Sequence, residues 1–360
     1  MTRIFSTIFY PNPFSVDKKS HLVIYYNQQK EGINMEKRIP LIRMGGTIGT
    51  TINNGTMEPN KHASLALLNL YNQRKDAYPV QWIQEQDFGV LSENNTVNTW
   101  NQLLESLREI VQRNQNYDGI IITHGTDTLA YTAALLSVVC KGMNLPIFLV
   151  SSHRPLLDKT GNPDPHANGV DNFAAAVSAI YQGITPGVYV PYRNPSNGVM
   201  HMHKGEQITQ CPIYSDDFSS YPFARNTQAI TAPALLTCPP LTDCVLQIEP
   251  YVGLNYNRLN LEGVKAVLHG VYHSGTACVD DGHSPASLIA FAKGCEAQNI
   301  PVYLAPAKTS KEHTVYASVP ALEQTAIRFC YGHTNEWLYA ALTVAYSAEM
   351  TQEEVQALIQ

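Results

Sequence analysis

The sequence predicts an α/β protein built around a parallel sheet, with a second, smaller α/β unit behind it. From Met35 onward, short β-rich apolar runs alternate with stretches of helical period, the pattern of βαβ crossovers. The chain has 360 residues, too many for one small core and suited to two domains or one large domain with a satellite. Apolar residues make up 44% and charged residues 15%, so material for a core is ample and intrinsic disorder is excluded.

Residues 1–34 are polar and punctuated by Pro11, Pro13, Lys18, Lys19 and the run Asn27-Gln28-Gln29-Lys30-Glu31-Gly32. They read either as a weakly specified extension ahead of Met35 or as an ordered edge element containing Leu22 to Tyr26. The first convincing strand is Ile39–Met44. Further strands are expected at Gly119–Thr123, Pro146–Ser151, Gly187–Tyr192, Val245–Ile248, Val264–Leu268 and Pro301–Leu304, each a short apolar run bounded by turn residues. Between the first two, Trp100, Leu103, Leu104, Leu107, Ile110 and Val111 recur every three or four residues and draw one apolar stripe down a helix. Helices are also expected over Thr128–Cys140, Val170–Tyr181, Pro285–Ala297 and Thr334–Tyr346. The stretch Cys211 to Pro240 carries Pro212, Pro222, Pro233, Pro239 and Pro240 with little periodicity, as a connection between domains does. The expected organisation is therefore an extension over 1–34, a first domain over 35–224, a linker over 225–244 and a second domain over 245–360.

Charge and cysteine usage narrow the function. With 24 basic and 30 acidic residues the net charge is −6, and no long basic run supplies the attraction that nucleic-acid backbones require. Nucleic acid is not an expected partner. The seven cysteines, Cys140, Cys211, Cys238, Cys244, Cys278, Cys295 and Cys330, are widely spaced without a CxxC pair, which favours free thiols in a reducing, cytoplasmic compartment. No apolar run approaches the ~18 residues of a membrane span, and Met1 to Phe14 lacks the apolar core of a secretory signal, so no membrane association is expected.

In an open parallel sheet, ligands collect beyond the carboxyl ends of the strands. Two such corners carry chemistry. Met44-Gly45-Gly46-Thr47-Ile48-Gly49-Thr50 follows the first strand, and its paired glycines permit close backbone approach with amides free for an oxyanion or carboxylate. It has neither the GxGxxG spacing of a dinucleotide site nor the terminal lysine of a phosphate loop, and ordinary turn chemistry is its other reading. Thr123-His124-Gly125-Thr126-Asp127-Thr128 lies between a strand and an apolar helix. A helix cap would account for one of Thr126 and Asp127. A hydroxyl and a carboxylate side by side behind a glycine suit a nucleophile or water-activating group.

Together, Gly45-Gly46-Thr47-Ile48-Gly49 and His124-Gly125-Thr126-Asp127-Thr128-Leu129-Ala130-Tyr131-Thr132 resemble the two signature segments of the bacterial-type asparaginases, nearest to the cytoplasmic type I branch. Weaker similarity continues through Ser152-His153-Arg154-Pro155, Asn168-Gly169-Val170-Asp171-Asn172-Phe173, Tyr251-Val252-Gly253 and Thr334-Asn335-Glu336. The resemblance implies a larger N-terminal flavodoxin-like domain, a smaller C-terminal α/β domain, and homodimers or homotetramers whose active site is completed at a subunit contact. It implies hydrolysis of the side-chain amide of L-asparagine to aspartate and ammonia through a threonine nucleophile, with no metal or organic cofactor.

Carried over residue by residue, the resemblance makes Thr47 the nucleophile and groups Thr126 and Asp127 with a lysine. Counting from the strand Gly187–Tyr192 places that lysine at Lys204, where burial beside a carboxylate would let an amine withdraw a hydroxyl proton. Ser92 and Glu93 fall where the family holds the substrate's α-carboxylate and α-amino group, though a Ser-Glu pair is also an ordinary exposed turn. Gly46 and Gly125 supply backbone at the substrate, and Ser152 flanks the scissile amide. His201 and His203 have no third ligand by spacing and read as surface histidines rather than a metal site.

Departures from the family pattern are equally visible. Relatives carry a lid tyrosine soon after GGTIG, whereas this chain reads Asn54-Gly55-Thr56-Met57-Glu58-Pro59, with no tyrosine between Met44 and Tyr71. Asn168 stands at the usual aspartate, and Ala340 and Ala341 stand where many members have a lysine. These changes keep two alternatives in view: an amidohydrolase of the same fold acting on a different or modified amide in a biosynthetic pathway, and a catalytically silent amino-acid-binding paralogue.

Overall fold

The computed structural model describes residues 14–16, 22–24, 35–53, 55–59, 61–113, 115–221, 232–280, 284–308, 310–311 and 313–359. In the expected extension, strands β1 (Phe14–Val16) and β2 (Leu22–Ile24) pair antiparallel; Tyr25 and Tyr26 fall outside the described residues.

The larger sheet has six strands. These are β3 (Lys37–Gly45), β6 (Val80–Val90), β7 (Ile120–Thr123), β8 (Pro146–Val150), β9 (Gly187–Arg193) and β10 (Met200–Lys204), in the spatial order β10-β9-β8-β7-β3-β6. The first five are parallel, and β10 folds back antiparallel on β9. Helices cover both faces, so the central strands are apolar on alternate residues in both directions. Ile120 and Ile122 face one core with helices α2 (Val97–Gln112) and α3 (Leu129–Val139). Ile121, Phe148 and Val150 face the other, with Tyr71 of helix α1 (Lys61–Asn72) and Phe173 of α4 (Gly169–Tyr181).

The smaller sheet is wholly parallel: β13 (Val245–Ile248), β14 (Ala266–His269), β15 (Val302–Leu304) and β16 (Arg328–Phe329) run side by side in that order. It carries α5 (Leu288–Glu296), α6 (Ser318–Glu323), α7 (Asn335–Ser347) and α8 (Gln352–Ile359). Helix α7 joins the two units. Ala340, Ala341 and Val344 share one core with Ala133 and Leu136 of α3 and with Val245 and Leu268 of the second sheet. Two fully buried alanines, Ala340 and Ala341, let α7 lie close on its neighbours.

The segment expected to be a linker is pinned where it is described. The Leu235 amide donates to Val139 O, the Arg108 guanidinium donates to Leu235 O and Cys238 O, and Asn101 exchanges two hydrogen bonds with the Leu241 backbone. Proline removes regular structure here without removing attachment. Two small hairpins complete the fold: β4 (Thr50–Asn53) with β5 (Thr56–Pro59), just after the first glycine corner, and β11 (Ile208–Thr209) with β12 (Ser219–Ser220). All seven cysteines are free thiols. Among the described residues no helix is long and apolar enough to cross a membrane.

Candidate active site

Strands β3 and β7 are parallel neighbours, with Arg43 opposite Thr123, so the two sequence corners leave the same edge of the sheet side by side. They touch through backbone. A Cβ built on Gly46 would lie 2.1 Å from Gly125 Cα, and one on Gly125 would lie 2.4 Å from Ser92 Oγ. Only glycine fits such an approach, and Gly46 sits at φ +76°, a conformation other residues rarely adopt. Thr47, Thr126 and Ser92 therefore stand on three loops that converge on one point.

The glycines do a different job from the one expected of Gly46. Its amide is already donated to Val90 O at 3.0 Å, so it is not available as an oxyanion donor. Thr47 opens a single 3₁₀ turn, Thr47–Gly49, closed by Gly49 N donating to Gly46 O at 2.8 Å and by the Thr50 hydroxyl donating to Thr47 O at 2.9 Å. This fixes the Thr47 backbone while the side chain stays half-exposed.

Neither Thr126 nor Asp127 serves as a helix cap. The residue at the cap of α3 is Thr128, which makes no side-chain capping bond; its hydroxyl donates to Ser92 O at 3.0 Å and accepts from Asn95 Nδ2 at 2.9 Å. Ser92 in turn donates to Asp127 Oδ2 at 3.1 Å and receives the Asp127 amide at 3.2 Å. Ser92 is buried, while Glu93 and the Asp127 carboxylate reach solvent. Beneath them lies His124, fully buried, its Nδ1–H donating to Gly125 O at 2.7 Å and its Nε2 facing Asn95 Nδ2 at 3.3 Å. Burial pulls this imidazole down to about 4, so it is a neutral strut rather than an acid–base group at neutral pH.

The loop after β8 is held from below. Asn168 accepts the His153 amide at 3.0 Å and donates to Arg193 O at 2.8 Å, while Asn172 donates to Ser151 O and accepts the Arg193 amide, each at 2.8 Å. Ser152 is fully buried, with its hydroxyl on Arg154 O at 2.6 Å. The departure at Asn168 is thus a two-way clamp that a carboxylate could not make, because one of its bonds needs a donor.

Lys204 is not in this site. The Met200–Lys204 segment is a sheet strand rather than a loop, and its antiparallel register sets Lys204 opposite Tyr189, near the start of β9, with its side chain exposed. The chain reverses after β9, so Lys204 ends at the amino edge of the sheet, not beside Asp127 as its distance past Tyr192 in sequence suggests. Among the described residues the Asp127 carboxylate is hydrogen-bonded by Ser92, not by a lysine. His201 and His203 lie on the same strand with their rings stacked at 5.5 Å, and His203 Nδ1 is 2.7 Å from Ser220 Oγ. Among the described residues no group of three or more His, Cys, Asp or Glu side chains is placed to hold a metal ion.

Two site residues, Asn95 and Gln210, escape a reading of the sequence, and a third, Glu336, is visible there only as part of the segment Thr334-Asn335-Glu336. Asn95 ties His124 to Thr128, and its signal is its place two residues beyond Glu93 in the same turn. Gln210 donates its side-chain amide to Thr126 O at 3.0 Å, and its backbone amide donates to Glu336 Oε1 at 2.7 Å. Burial raises the Glu336 carboxyl above its ordinary range. Gln210 and Glu336 come from distant parts of the chain, and no spacing rule connects them to Thr126.

Comparison with known proteins identifies the family and the fold. The family model "Asparaginase, N-terminal" matches residues 38–222, which takes in both glycine corners and all six strands of the larger sheet from β3 to β10. The chain belongs to the asparaginase family. Among solved structures, the fold is shared with L-asparaginase I from Vibrio cholerae at TM-score 0.66 and 21% identity, covering 91% of this chain and 97% of that one. It is shared likewise with the thermostable L-asparaginase from Thermococcus kodakarensis at TM-score 0.65 and 20% identity, covering 89% and 96%. Among curated family relatives, a glutamyl-tRNA(Gln) amidotransferase subunit from Aeropyrum pernix is 29% identical over 147 residues, 40% of this chain and 32% of that protein. The L-asparaginase of Thermococcus kodakarensis is 35% identical over 85 residues, 24% of each chain. The match to the first of these relatives thus spans about a third of its length.

Proposed function

We propose that this asparaginase-family chain hydrolyses a side-chain carboxamide, with L-asparagine as the reference substrate. The observation that supports it most is the backbone contact of Gly46 with Gly125, which gathers Thr47, Thr126, Asp127 and Ser92 around one point. The Thr47 hydroxyl attacks the amide carbon, the C–N bond breaks, and ammonia leaves with the hydroxyl proton. Water then adds to the acyl carbon, releases the carboxylate and returns a proton to Thr47. Ser92 and Glu93 meet the substrate's α-carboxylate and ammonium, Gly125 borders it while the buried Ser152 holds its own loop through Arg154 O, and Thr126 and Asp127 handle the proton in transit. With Lys204 at the other edge of the sheet, the ionisable group beside Thr126 is Asp127. A carboxylate is poorly matched to a threonine hydroxyl as a base, so slow turnover is expected.

Ammonia release by the purified chain tests this reading. Thr47→Ala and Thr126→Ala are each expected to lower it by about 10²-fold or more, whereas Lys204→Met changes it less than about twofold. Undiminished release in both threonine variants defeats the mechanism. A second reading draws on the curated relatives that are glutamyl-tRNA(Gln) amidotransferase subunits. There the released ammonia would serve a partner's amidation reaction. Glutamine preferred over asparagine, with release stimulated by such a partner, would select it.

A further inference from the structure

A cavity of about 300 Å³ opens where the first turns of α2 and α3 meet strand β13 and helix α7. Its walls carry three aromatic rings, Trp100, Tyr131 and Tyr339, with Gln247, Val245 and Thr128 between them. The rings are set at steep angles to one another. Trp100 and Tyr339 have centroids 6.1 Å apart at 58°, and Tyr131 and Tyr339 are 5.7 Å apart at 87°. Each outer ring is also tied down, since Trp100 Nε1 donates to Thr132 Oγ1 at 3.1 Å and Tyr131 OH donates to Gln247 Oε1 at 3.3 Å. An aromatic corner of this kind is preformed rather than assembled on demand.

Among the described residues none of those lining the cavity is charged, and the charged groups that act on Tyr131 from behind its wall are both acidic. Carboxylates stand just behind the wall: Gln247 donates to Glu249 Oε1 at 3.3 Å, and Glu336 begins the helix that carries Tyr339. Burial first, and then Glu336 and Glu249, push the Tyr131 hydroxyl up to about 12; burial and then Asp243 raise that of Tyr339. Aromatic faces and a negative surround both favour a cation and both oppose an anion.

We propose that this cavity binds a small organic cation, an alkylated ammonium group seated among Trp100, Tyr131 and Tyr339. The volume lies at the lower end of small-ligand pockets and fits such a group. The cavity adjoins the candidate active site, since Asn95 and Thr128 line it and Thr128 is bonded to Ser92, but the proposal does not rest on the amide chemistry.

The test uses the unaltered protein and two probes of equal shape, choline and its uncharged isostere 3,3-dimethyl-1-butanol, followed by isothermal titration calorimetry. Choline is expected to bind saturably and about tenfold more tightly than the neutral alcohol. Tyr339→Leu, which retains apolar volume, and Glu249→Gln, which removes a charge, are each expected to weaken choline several-fold. Absence of saturable choline binding overturns the proposal. Equal affinity for the two probes overturns it as well, since the cavity would then respond to apolar area alone. Because the comparison of probes needs no substitution, the result stands even where a variant fails to fold.

Discussion

Gly46 and Gly125 show how much of this site is decided by the absence of a side chain. Alanine at 46 would drive a methyl into Gly125 Cα at 2.1 Å while holding φ at +76°, so the two loops must part. A displacement of about an ångström among reacting groups costs about 10²-fold in rate, and Gly46→Ala is expected to lose at least that in ammonia release. A variant with full activity would show that the loops need not touch. Asn168 makes a second prediction at this scale. Asn168→Asp leaves a nearly inaccessible side chain without the donor that Arg193 O requires, and the melting temperature should fall by an amount corresponding to about 1–3 kcal/mol. Both glycine corners were legible because the two segments occur together: Gly-Gly-Thr alone is also ordinary turn chemistry, whereas a hydroxyl and a carboxylate side by side in His-Gly-Thr-Asp exceed what one helix cap needs. Lys204 was misplaced for a physical reason. Past the turn at the end of β9 each residue retreats about 3.4 Å, so four residues beyond Met200 carry the lysine about 14 Å back from the active edge.

Elements were legible in proportion to how completely they are buried. Strands β7 and β8 are buried at every residue; β8 reads as an unbroken apolar run in the sequence and β7 as three isoleucines closed by Thr123. Strand β6 was missed although it is eleven residues long, because as an edge strand it exposes part of its length and its polar residues mask the run. Strand β10 was hidden likewise, its histidines giving no apolar signal at the other edge of the sheet. The hairpin of β4 and β5 pairs Asn53 with Thr56 at its closed end. Helix α7 illustrates packing that periodicity does not reveal: its apolar residues wrap much of its circumference because it serves two domains at once. Small side chains are what allow that. Ala341→Leu adds volume at a fully buried contact, and urea unfolding should register a loss of about 1–3 kcal/mol. An unchanged midpoint would mean that α7 can shift without cost.

The whole molecule repeats one device in both sheets. The central strand β7 is followed by His124-Gly125, and β14 ends at His269 followed by Gly270. In each case Nδ1–H donates to the next glycine's carbonyl, at 2.7 and 2.6 Å, and Nε2 faces a polar partner, Asn95 in one sheet and the Tyr256 hydroxyl in the other. Burial pulls both imidazoles from 6.5 down to about 4. The unfolded chain therefore binds more protons than the folded one between these values, so stability is complete above about pH 6.5, declines as the pH falls towards 4, and levels off below. Each histidine contributes up to about 3 kcal/mol to that decline. His124→Gln keeps a donor and an acceptor but cannot titrate. Its unfolding free energy, followed in urea from pH 7 to pH 4, should fall less steeply than that of the parent, whatever its absolute value at pH 7. Because the two histidines lie in different sheets and share no partner, His269→Gln should flatten the profile independently and the double variant should add the two effects. A double variant as acid-sensitive as the parent would place the proton uptake elsewhere and leave the buried imidazoles with a purely geometric role.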